Sequence, residues 1–153
     1  MSQNSVLESA AITAFINELK NKYDPAKYEI NRRSEPSDVV VENKSNEEKF
    51  YYEIKATKSM SYFGAATFTE ISQALKTPDN YWFVIAYESN NKFTFNEYRL
   101  KDIADHFTIP PIKVFFNIDV KNINKSHKHR KGTVVFNKEN FDKLSQAYEE
   151  CKK

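Results

Sequence analysis

An α/β domain with a mixed sheet is the fold class this sequence predicts, on three observations. Two amphipathic helical patterns bracket three short segments that read as a strand meander. A near-continuous apolar run, Tyr81 to Tyr87, then carries the mark of a strand buried on both faces. More strand-like segments and a last helical pattern follow. Helix, meander, helix, strand, in that order, is an α/β layer arrangement.

Each element has its own grounds. Val6 to Tyr23 reads as an amphipathic helix, because Leu7, Ala11, Phe15 and Leu19 recur at i+4 and Ile12 and Ile16 widen the stripe. Ser5 is its candidate N-cap, with Glu8 at capping-box spacing, and Asp24-Pro25 ends it. Tyr28 to Arg33 is a short strand, Ser34 to Ser37 a turn, and Asp38 to Glu42 a second strand. Asn43 to Glu48 is a polar turn, and Lys49 to Thr57 the third strand. Lys58 to Ala66 is an irregular loop holding Gly64. Thr67 to Lys76 is a short helix with Thr67 and Glu70 as a capping box and Phe68, Ile71 and Leu75 as its apolar stripe. Thr77 to Asn80 is a turn, and the apolar strand follows. Ser89-Asn90-Asn91-Lys92 reads as a hairpin loop, Phe93 to Leu100 as a strand, and Lys101 to His106 as a helical turn before Pro110-Pro111. Lys113 to Asp119 and Gly132 to Asn137 are the last strands. Lys138 to Lys153 is a closing helix with Phe141, Leu144 and Tyr148 on one side. No repeat, low-complexity tract or linker interrupts the pattern. The expectation is a single domain over residues 1–153, with a core at about 5–88 and an extension at 89–153.

Composition removes several function classes. Glycine occurs twice, and neither Gly64 nor Gly132 lies in a Walker or dinucleotide fingerprint. The one cysteine, Cys151, forms no internal disulfide, which points to a reducing, cytoplasmic setting. No basic-then-apolar leader and no apolar run of about 18 residues is present, so neither a signal peptide nor a membrane span is expected. The net charge of +2 is too small to announce a nucleic-acid binder, so any such contact uses a local patch. Lys125, Lys128, Arg130 and Lys131 form the strongest basic run, able to track a phosphate backbone or equally to be a solvated loop. His127 and His129 within it lack the further ligands a transition metal needs.

The chemistry concentrates on the second and third strands. Side chains at i and i+2 of a strand share a face, so Glu53 and Lys55 stand together with Tyr51. Phe50, Tyr52, Ile54 and Ala56 point the other way. If the strands pair, Asp38 approaches Glu53. Two carboxylates favour a hard divalent cation such as Mg²⁺, and a lysine beside them can orient an attacking water. The plainer reading puts Glu53 and Lys55 on a solvated face, paired with neighbours. Arg32, Arg33, Lys58 and Tyr62 flank the spot and are positioned to grip a substrate.

Pro36-Ser37-Asp38, fourteen intervening residues, and Glu53-Ile54-Lys55 together resemble the signature of the PD-(D/E)xK nuclease superfamily. The resemblance narrows. Asp38-Val39-Val40-Val41 and Tyr52 to Thr57 are similar to the nuclease-like domains at the C-terminus of protein NO VEIN and in many bacterial defence and helicase proteins. A Thr/Ser-to-Glu helix start, here Thr67 to Glu70, and an Asn-Tyr before an apolar strand, here Asn80 to Ile85, belong to the same pattern. An early-helix glutamate corresponds to Glu8. The match covers residues 5 to 88.

The resemblance implies a restriction-endonuclease-like fold, a mixed central sheet flanked by helices. It implies that Asp38, Glu53 and Lys55 are catalytic. Asp38, Glu53 and the backbone carbonyl of Ile54 would hold Mg²⁺ or Mn²⁺, which stabilises charge on the scissile phosphate. Lys55 would position the attacking water. Glu8 is either an outer metal ligand or half of a capping box with Ser5. Glu70 is explained by cap and helix-dipole chemistry. Gln73, one turn on, faces Lys55 or a phosphate, or else solvent. The implied activity is Mg²⁺-dependent DNA endonuclease, leaving a 5′-phosphate, or the nuclease subunit of a bacterial defence or restriction system. DNA is the expected partner, with a homodimer or a helicase or recognition subunit beside it and no membrane. The alternative is a non-catalytic module of this fold that binds nucleic acid or protein.

Overall fold

A computed structural model describes residues 3–109, 120–121 and 137–153, in two compact units spanning 1–109 and 110–153. The first unit holds α1 (Gln3–Lys22), β1 (Tyr28–Arg32), β2 (Val39–Asn43), β3 (Lys49–Thr57), α2 (Phe68–Lys76), β4 (Tyr81–Ser89), β5 (Lys92–Tyr98) and α3 (Leu100–Ile103), which runs into a 3₁₀ turn, Ala104–His106. The five strands form one sheet in the order β1-β2-β3-β4-β5. Only β3 and β4 are parallel, joined by α2 as a crossover; the other pairs are antiparallel. The mixed α/β class expected from sequence is the class observed.

Alternation along β3 separates two cores. Tyr52 and Ile54 point to one face, where they pack with Ala11, Ile12, Phe15 and Leu19 of α1 and with Val39, Val41, Val84 and Ala86 of the neighbouring strands. Tyr51 points to the other, packing against Tyr81, Phe83, Ala74 and Ile71 beneath α2 and α3. Burying both faces explains the unbroken apolar run of β4. The β4–β5 turn is Asn90-Asn91, with φ of 52° and 59°. Asparagine tolerates that left-handed geometry, which matches strand twist in a two-residue hairpin.

Several sequence expectations change here. Helix α1 begins at Gln3, so Ser5 lies inside it rather than capping it. Asp38 sits one residue before β2. The stripe expected on α2 is rotated. Ile71 and the buried Ala74 face the sheet, while Phe68 and Leu75 are 85% and 66% exposed. The cause is polar: Glu70 reaches inward to a buried lysine, and fixing Glu70, Ile71 and Ala74 on the sheet side turns Phe68 and Leu75 outward.

In the second unit the described helix is α4 (Lys138–Cys151), capped by the Asn137 side chain, which accepts the Asn140 N–H at 2.8 Å. The expected strands at 113–119 and 132–136 lie outside the described residues.

Candidate active site

The β2–β3 register sets the site. Val39 lies opposite Tyr52, so one residue earlier Asp38 lies across from Glu53. Asp38 accepts the Ile54 backbone N–H on its Oδ2 at 2.8 Å, taking the place of a ladder carbonyl and locking the carboxylate against β3. The preceding turn is held too. The Tyr81 phenol donates to the Pro36 carbonyl at 3.0 Å, and the buried Ser37 hydroxyl donates to the Val39 carbonyl at 3.0 Å.

Glu53 and Lys55 share the face expected from their spacing, but that face is not solvated. Their side chains are 7% and 13% exposed, and Lys55 Nζ lies 2.5 Å from Glu53 Oε1. The same ammonium lies 3.3 Å from Glu70 Oε2. Glu70 also completes the capping box: its Oε2 accepts the Thr67 N–H at 3.1 Å, and Thr67 Oγ1 accepts the Glu70 N–H at 3.2 Å. One carboxylate thus caps a helix and ties it to β3. Its role in the cluster is invisible to cap chemistry alone.

Glu8 joins from α1. Burial raises its pKa, the charges of Asp38 and Glu70 raise it further, and Lys55 pulls it down. Asp38 is raised by burial, against the Ile54 N–H and Lys55, with Glu70 adding to the rise and Arg32 opposing it. Glu53 is raised by burial, opposed by Lys55's hydrogen bond and reinforced by Asp38 and Glu70. Burial works against the Lys55 ammonium, but its hydrogen bonds and the charges of Glu53 and Glu70 outweigh that and hold it protonated. Every shift favours an added proton. The cluster holds Glu8, Asp38, Glu53 and Glu70 against Lys55 and Arg32, an excess of negative charge.

That donor chemistry fits a hard divalent cation: carboxylate oxygens in a net-negative, half-buried site. The Ile54 carbonyl leaves β3 on the same edge as its N–H, the Asp38 edge. Among the described residues, however, no three His, Cys, Asp or Glu side chains are grouped to chelate an ion by themselves. Any cation would complete its shell with backbone oxygen and water.

The outer candidates are more scattered. Arg32 is exposed, donates to Ser9 Oγ at 3.2 Å and acts on Asp38 through its charge. Arg33 is exposed; its backbone N–H bonds the Asp38 carbonyl at 2.8 Å. Lys58 pairs with Glu88 at 3.0 Å rather than with the cluster. Gln73 turns its amide to Thr77 Oγ1 at 3.4 Å, away from Lys55. Lys125, Lys128, Arg130 and Lys131 lie outside the described residues. Sequence reasoning reads Tyr81 only as part of a buried strand. Its phenol in fact secures the turn that delivers Asp38. The signal for it is the Asn-Tyr pair that the resemblance singles out.

The fold and site define a mixed α/β domain with a buried acidic cluster around one lysine, where the meander meets the parallel crossover. The family model for the C-terminal region of protein NO VEIN matches residues 7–98, and the chain belongs to that family. The match spans α1 through β5 and takes in every residue of the cluster. No curated protein and no solved structure matches the chain. Among the described residues no helix is long and apolar enough to cross a membrane.

Proposed function

We propose that this domain is a metal-dependent nuclease of the PD-(D/E)xK type, hydrolysing phosphodiester bonds in DNA with Mg²⁺ or Mn²⁺. The observation that carries the reading is the joining of Asp38, at the start of β2, with Glu53 and Lys55 of β3, with negative charge in excess. Asp38, Glu53 and the Ile54 carbonyl would hold the ion, with Glu8 as an outer group. When bound, such an ion supplies Lewis-acid stabilisation of charge on the phosphate. Lys55, held protonated, orients the attacking water or neutralises the developing oxyanion. Glu70 keeps the Lys55 ammonium in place. The resemblance to domains in bacterial defence and helicase proteins supports a place as the nuclease part of a defence or restriction system, acting as a homodimer or beside a helicase or recognition subunit.

A second reading has its own support. Lys55 already bonds both Glu53 and Glu70, which suits a closed structural cluster in a non-catalytic binding module. Calorimetric titration with Mg²⁺ and Mn²⁺, with and without DNA, separates the two. The nuclease reading expects saturable binding, lost in Asp38→Ala and Glu53→Ala, and metal-dependent cleavage lost in Asp38→Ala and Lys55→Ala. A wild-type protein that takes up no metal in either condition overturns it.

A further inference from the structure

The cluster opens into a cleft of about 1320 Å³, with Glu8 and Lys55 in its wall. That volume exceeds the roughly 300–1,000 Å³ of pockets that enclose a small molecule, so the cleft suits an open trough for part of a polymer. Its lining also carries Tyr62, Phe63 and Phe93, the Asn91 amide and the Lys58–Glu88 ion pair.

Two neighbours on the loop after β3 are set differently. Phe63 is 101% exposed, its whole ring in water and open to a stacking partner. Tyr62 is 37% exposed. Its ring tip occupies the space beside Gly64, where a Cβ would come within 2.0 Å of the phenol oxygen. Gly64 is one of two glycines in the chain. Burial keeps the Tyr62 phenol protonated, within range of the charges of Lys55, Glu8, Glu70 and Glu53. The cleft wall thus brings together a cation, aromatic faces and an amide. A nucleotide presents a phosphate, a base face and a base edge that match these three kinds of group, and base–aromatic stacking is how single strands are gripped without sequence preference.

We propose that this cleft is a nucleotide subsite. It takes one unpaired nucleotide beside the scissile phosphate, its base stacked on Tyr62 and Phe63, so the substrate is single-stranded nucleic acid or a duplex with an unpaired nucleotide at the cut. The proposal rests on the nucleic-acid half of the reading above; stacking itself needs no cleavage.

The test uses a single-stranded oligonucleotide carrying one 2-aminopurine and the duplex of the same sequence. Each is titrated with protein in EDTA and in Mg²⁺, with cleavage followed on the same samples. Expected are saturable fluorescence quenching by the single strand and weaker binding of the duplex. Phe63→Ala and Gly64→Ala each weaken single-strand binding about 5- to 150-fold, the usual range for one lost stack, and leave duplex binding unchanged. Phe63→Trp retains affinity. Because Phe63 is exposed, its variants test contact rather than folding. Unchanged affinity in Phe63→Ala, equal losses on both substrates, or no saturable wild-type binding in either condition overturns the subsite. Stacking without cleavage leaves the subsite standing and removes the nuclease reading; cleavage indifferent to both variants does the reverse.

Discussion

Replacing Lys55 by methionine keeps most of the side-chain volume and removes the one cation that, among the described residues, bonds Glu53 and Glu70. Those two carboxylates lie 2.5 and 3.3 Å from its ammonium, in side chains 7% and 13% exposed. Removing one partner of a buried pair costs roughly 3–5 kcal/mol. The two pairs share one ammonium, so their contributions are not additive and the expected loss stays in that range. Against a typical total of about 5–15 kcal/mol, the variant is close to unfolding at neutral pH. Acid should rescue it. Glu53 in the fold already binds its proton more tightly than its ordinary value of 4.5, and losing Lys55 raises it further. A carboxyl raised in this way contributes stability that is full below 4.5 and lost as pH rises through the folded value. Both proteins lose stability across that window, and the variant's deficit against the wild type grows above the wild-type folded value of about 8, up to the variant's higher one. Urea unfolding followed by the single tryptophan, Trp82, at a series of pH values reads it directly. A loss below about 1 kcal/mol, or one that does not change with pH, would show solvent-screened pairs and refute the argument.

Three further outcomes are expected. Tyr81→Phe leaves the Pro36 carbonyl without its phenol donor, costs about 1–3 kcal/mol in urea unfolding, and weakens Mg²⁺ uptake in calorimetry because the Asp38 turn loosens. Thr67→Ala removes the α2 cap at a cost of about 1 kcal/mol by the same unfolding assay. In the wild type, stability declines as pH rises from 4.5 through the raised carboxyl values, and Mg²⁺ raises the melting temperature more at alkaline than at acid pH, because protons must leave before a cation binds; differential scanning calorimetry at two pH values checks both.

Much of the first unit was legible because its signals are local. The bounds of β3, the Thr67–Glu70 capping box and the Asn90-Asn91 turn follow from alternation, cap spacing and turn chemistry. Spacing also put Glu53 and Lys55 on one face. Periodicity cannot say whether that face is dry, because burial depends on what packs above it, here α2 and the Glu70 carboxylate it carries. The rotation of α2 escaped for the same reason: a buried ion pair chose the inward face over the more apolar Phe68 and Leu75. Gln73 was placed by helical phase, which does not foresee its bond to Thr77 at the helix end. Tyr81 makes its contact across forty-five residues, a separation no window spans.

The strictly sequential strand order bears on how the molecule folds. Three of its four pairings are hairpins, closed by short loops at little entropic cost. The fourth, β3 to β4, waits for the crossover helix to cross the sheet. Closing the β2–β3 hairpin brings Asp38 to Glu53 early, while Lys55 still has water on the side where Glu70 will sit. The charged centre is thus completed only when the crossover closes, and before that step the edge carries Asp38 and Glu53 against a single lysine.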